Sequence, residues 1–70
     1  MNLYRLDRAD GSAVSDLMGP VLIRSASRAR ERAIHDAGIS QQGVTITRIN
    51  GSGRLRAMFV AFPDGKVSRV

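Results

Sequence analysis

Arg48, Arg54 and Arg56 flank the glycine-rich stretch Asn50-Gly-Ser-Gly53, and no acidic residue occurs between positions 38 and 63. A guanidinium is a planar fork of donors that is always charged, suited to bidentate contacts with phosphates and carboxylates. A two-stranded ribbon carrying such groups can enter a nucleic-acid groove. Further on, Lys66 and Arg69 are opposed only by Asp64. Arg48, Arg54, Arg56, Arg69 and Lys66 are therefore the candidate binding residues, with Arg28 and Arg32 as a secondary basic face. The partner this chemistry implies is nucleic acid, or a protein complex that handles it.

Other chemistry is poorly provided for. His35 is the sole histidine, and its neighbour Asp36 lies about 100° away around a helix, so no Ser-His-Asp arrangement is built locally. The six carboxylates show no closely spaced pair on one face, and one histidine among scattered aspartates has no metal-ligand spacing. Gly51-Ser-Gly53 and Asp64-Gly-Lys66 lack the G-x-x-x-x-G-K-[ST] order and the following helix of a phosphate loop. No catalytic residue, metal or cofactor is expected, and a non-enzymatic binding module is.

Ten arginines and one lysine against six acids leave a net charge of +5 over 70 residues. Arg5, Arg8 and Arg24 are balanced within residues 1–24 by Asp7, Asp10 and Asp16, so most of the surplus lies C-terminal to the central helix. One domain over residues 1–70 is expected, with a thin core, because a chain this short buries only about 60% of its unfolded surface. The absence of cysteine rules out disulfides and Cys-ligated zinc. No apolar run approaches the roughly 20 residues that cross a bilayer, so a cytoplasmic protein without a membrane partner is expected.

The elements that would position the arginines can be read from pattern. Ser25 and Ser27 are N-cap residues, and the helix expected over 25–37 ends with Gly38 as its C′ residue. Ala26, Ala29, Ala33 and Ala37 form a narrow apolar stripe beside Ile34, and Glu31 with His35 and Arg32 with Asp36 are spaced to pair. The segment Ala33–Ile49, AIHDAGISQQGVTITRI, resembles the turn region of phage-repressor helix-turn-helix domains in the spacing of Ala33, Gly38, Ile39 and Val44. That resemblance would make 44–49 a recognition helix. Against it, five of those six residues are β-branched, Gly19-Pro20 interrupts the region where a preceding helix is needed, and Asn50–Gly53 is turn chemistry leading into a second strand-like run, 55–62.

A β-hairpin is the better reading, and a loop of two or four residues is expected. It would place Val44, Ile46 and Arg48 on one face with Leu55, Ala57, Phe59 and Ala61, and Arg54 and Arg56 on the other with Thr45, Thr47, Ile49 and Met58. Phe62–Lys66 is a second turn and Val67–Val70 a returning edge strand. In the N-terminal third, 3–8 reads as a strand, 10–12 as a turn, 13–18 as a strand or short helix, and 21–24 as extended. The expected fold is α+β, a single helix on an antiparallel sheet of four to five strands, in the order β-(β)-α-β-β-β. Small size and exposed sheet edges also suit the inhibitor or adaptor proteins of phages and mobile elements, such as anti-CRISPR proteins and polymerase inhibitors. A homodimer through an edge strand is a further expectation.

Overall fold

The computed structural model describes residues 2–70. Its elements are β1 (Leu3–Arg8), β2 (Ser15–Asp16), β3 (Gly19–Pro20), β4 (Leu22–Ile23), α1 (Ala26–Ser40), β5 (Val44–Ile49), β6 (Leu55–Ala61) and β7 (Val67–Arg69). Five strands make one sheet in the order β4-β1-β5-β6-β7, every pairing antiparallel, while β2 and β3 pair only with each other. The helix lies on one face of the large sheet. The expected single helix on an antiparallel sheet is the fold observed.

Cross-strand pairing arranges the helix-side face in three rungs. The first is Arg8–Val44–Ala61–Val67, the second Leu6–Ile46–Phe59–Arg69 and the third Ile23–Tyr4–Arg48–Arg56. Ala29, Ala33 and Ala37 are fully buried against this face with Leu6, Val14, Val44, Ile46 and Ala61. Alanine lets the helix axis approach closely, and each contact is sensitive to added volume. Ala26 departs from the expected stripe, because at the first turn the helix has passed the packed area and this residue is exposed.

Ser25 caps the helix, its Oγ accepting from the Arg28 amide at 3.4 Å. The C-terminal end lies beyond the expected residue 37. Gly38 sits inside the helix, and Gln41, with φ of 55°, takes the left-handed position instead. Side chains of the last turn explain the extension. Ser40 Oγ donates to the Asp36 carbonyl at 2.8 Å, and Gln41 Nε2 donates to the Gly38 carbonyl at 2.6 Å, satisfying acceptors that a glycine terminus would otherwise serve. The expected Arg32–Asp36 pair does not form, because Asp36 is engaged from β1 by Arg8. Glu31 and His35 make no ion pair among the described residues.

The hairpin differs from the expected one in an informative way. Ile49 pairs with Leu55, so the loop is five residues, Asn50–Arg54, an odd number. An odd loop puts Arg56 on the face of Val44 and Ile46, opposite Arg48. A bulge at Met58 then adds one residue to β6, since Ile46 pairs with Phe59 but Thr47 with Ala57. Phe59 and Ala61 thereby return to the helix side while Ala57 and Leu55 go to the far face. Had the Ile46–Phe59 register run unbroken to the loop, Arg56 would stand opposite Ile49; the five-residue loop sets the Arg48–Arg56 pair, and the bulge reconciles it with the register of the inner half of the hairpin.

The outer edge of β1 carries an interruption. Ala13 pairs with Asp7, and the Val14 amide donates to the Leu6 carbonyl at 2.9 Å. The partner of Arg5 is then Leu22, so residues 15–21 are looped out of an otherwise continuous edge strand. They form a finger of β2 and β3, closed at its neck by the Val21 amide on the Val14 carbonyl at 2.9 Å. Of the two readings open for 13–18, the extended one holds.

Candidate nucleic-acid interface

Four of the five expected binding residues converge. Arg48 and Arg56 are directly opposed on the third rung, and Arg54 follows at the base of the loop. These three line a hollow of about 310 Å³ with Asn50 and Leu55. Arg69 shares a neighbouring hollow with Arg56, Ala57, Met58 and Val70. Lys66 is not part of this group. It lies in the Phe62–Lys66 turn beside the first rung, at the opposite end of β6, where its Nζ is 4.0 Å from Asp64.

The loop holds its shape through Asn50, whose backbone amide donates to the Arg54 carbonyl and whose backbone carbonyl accepts from the Gly53 amide, each at 3.0 Å. Asn50 Oδ1 accepts from the Ser52 amide at 3.0 Å, Ser52 Oγ at 2.7 Å and the Arg54 amide at 3.0 Å. Gly53 supplies the positive φ of 84° that the turn needs. The backbone carrying Arg54 and Arg56 is thus fixed before any ligand arrives, which reduces the ordering cost of binding.

Electrostatically the two ends of the molecule differ. Among the described residues three ion pairs form: Arg5–Asp7, Arg8–Asp36 and Lys66–Asp64. Arg8 grips Asp36 in bidentate fashion, Nε to Oδ2 at 2.9 Å and Nη2 to Oδ1 at 2.8 Å. These bonds hold the Asp36 carboxyl below its usual pKa despite its burial, and raise that of Arg8. Asp10 is likewise depressed, chiefly by hydrogen bonds from the Ser12 hydroxyl and amide and from Gln42. Arg48, Arg54, Arg56 and Arg69 have no carboxylate within ion-pair distance among the described residues.

The helix contributes arginine on both flanks. Arg28 and Arg32, the secondary basic face, line a groove with Arg24 beside β4. Arg30, about 200° around the helix from each, reaches the other flank, where its guanidinium lies 4.9 Å above the Phe59 ring. Sequence reading missed both additions. Arg24 was hidden by balancing charge within its own segment, and Arg30 by sitting between two residues of the opposite flank. His35 is exposed, and no group of three or more potential metal ligands occurs among the described residues. Among the described residues no helix is long and apolar enough to cross a membrane.

No protein-family model, curated protein or solved structure matches this chain.

Proposed function

We propose that the protein is a non-enzymatic module that binds nucleic acid through the hairpin end of its sheet. The observation that carries this reading is the direct opposition of Arg48 and Arg56 with no carboxylate within ion-pair distance among the described residues. Like charges facing each other across a strand pair are destabilising, and here the two stand in direct cross-strand register. Such an arrangement is unfavourable for folding and favourable for a polyanion, whose phosphates relieve the repulsion. Arg54 and Arg69 widen the contact to four cations on a backbone that is already ordered.

The test is fluorescence anisotropy against labelled duplex DNA, single-stranded DNA and duplex RNA across a salt series. Four phosphate contacts give a log–log slope of about −3 to −4. No binding at low salt would reject the reading.

One feature favours a second reading, an inhibitor or adaptor that docks on a protein complex. Leu17 and Met18, at the tip of the finger, are 104% and 94% exposed. Adjacent large apolar side chains held fully in water suit insertion into a pocket of a protein partner. Affinity capture from a host lysate with wild type and Leu17→Ser/Met18→Ser separates the readings. A protein retained by wild type and lost from the variant supports docking through the finger, and nucleic acid retained equally by both supports the first.

A further inference from the structure

Between the first turn of α1 and the sheet lies a cleft of about 340 Å³, lined by Tyr4, Ile46 and Phe59 from the strands and by Ala26, Arg30 and Glu31 from the helix. We infer that this cleft receives one unstacked base of a single-stranded nucleic acid whose phosphates lie on Arg48, Arg56 and Arg69. The inference rests on the nucleic-acid reading above and narrows it to a strand with an accessible base.

Three observations converge on that occupant. The chain has three aromatic residues, one tyrosine and two phenylalanines, and two of them line this one cleft. Aromatic and guanidinium planes are the surfaces on which splayed bases stack, and here both are present: Arg30 covers the Phe59 ring, so a base enters by stacking on Tyr4 and the guanidinium or by displacing Arg30 from Phe59. Charge then selects among flat ligands. Tyr4 is paired across the strands with Arg48, and Phe59 with Arg69, so each aromatic wall adjoins a cation without a carboxylate partner among the described residues. A ring entering between them would carry anionic groups to either side, as a base within a strand does and a free apolar molecule does not.

The walls also suit a base edge. Glu31 supplies a carboxylate that can accept a hydrogen bond from a ring N–H or an exocyclic amine of a base. Ala26 is small and exposed at the first helical turn, so the cleft stays open there. A base inside a duplex is stacked and paired and cannot enter, so the cleft discriminates between single and double strands while the arginines do not.

The experiment compares a short oligothymidylate with an abasic oligomer of the same phosphate count, by anisotropy at one salt concentration, on wild type and on Ala26→Leu, with thermal melts verifying that the variant folds. The oligothymidylate should bind wild type about tenfold tighter than the abasic strand, the advantage of stacking one base. Ala26→Leu should fill the cleft and remove that ratio, leaving the abasic and duplex affinities as they were. Equal binding of the two strands to wild type would overturn the base cleft while leaving the arginine site standing. Failure of both strands to bind would overturn both. Should Ala26→Leu not fold, the wild-type ratio alone decides.

Discussion

The first and third rungs of the helix-side face each raise arginine toward the helix layer, with opposite outcomes. On the first, Arg8 meets Asp36 near the C-terminal end of α1 in a bidentate pair and closes the core. On the third, Arg48 faces Arg56, and neither has a carboxylate within reach among the described residues. The same residue type on the same face is structural at one end and left over by folding at the other. Neither the number of charges nor their spacing distinguishes the two ends; the tertiary partner does.

That contrast can be broken in several ways. The largest expected effect is on binding: Arg48→Glu with Arg56→Glu should weaken nucleic-acid affinity by about 100-fold at moderate salt, because two phosphate contacts become two repulsions. Anisotropy measures it, and a thermal midpoint no lower than that of wild type would show that the loss is not unfolding. Next, Asp36→Ala should destabilise the fold by about 1.5 kcal/mol, since it leaves Arg8 without its partner. That corresponds to a melting temperature lower by roughly 10 °C for a domain of this size, with affinity of the folded protein unchanged.

Acid should act at the Arg8 end of the molecule. Asp36 and Asp10 are held below the ordinary carboxylate pKa, so in acid the unfolded chain binds more protons than the folded one. Their contribution is fully present above the unfolded value near pH 4 and fades as pH falls through the folded values. Melting temperature against pH should drop on the acid side, and Asp36→Asn should shallow that drop. The smallest effect has the opposite sign. Arg56→Thr should stabilise the fold by roughly 0.5 kcal/mol, by removing a like-charge pair and adding a strand-favouring residue. A lower midpoint for this variant would mean that Arg56 has a structural partner after all.

Much of this was legible in the sequence, for reasons that are local. Ser25 as cap, the alanine period at 29, 33 and 37, and the β-branched run 44–49 each state their element without help from distant residues. What was hidden depends on contacts across the fold. Arg8 looked cancelled within its own segment, although its partner is 28 positions away. Gly38 carried the usual stop signal, but Ser40 and Gln41 supplied the capping bonds and the helix ran past it. Alternation in 55–62 offered one register or the other, and the bulge at Met58 uses both, one on each side of itself. The acid-free span exposed Arg48, Arg54 and Arg56, but sequence proximity to Arg69 could not show that Lys66 lies at the wrong end of β6.

The looped-out finger bears on how this chain tolerates change. Joining Val14 directly to Leu22 would preserve the pairings Val14 to Leu6, Leu22 to Arg5 and Ile23 to Tyr4, with alternate side chains still on alternate faces. Residues 15–21 therefore form a cassette set into a strand that would be complete without it. Residues 15–20 of it can vary in length and sequence, or be exchanged for a label or a foreign peptide, while Val21 keeps its packing against the core and the arginine end keeps its geometry.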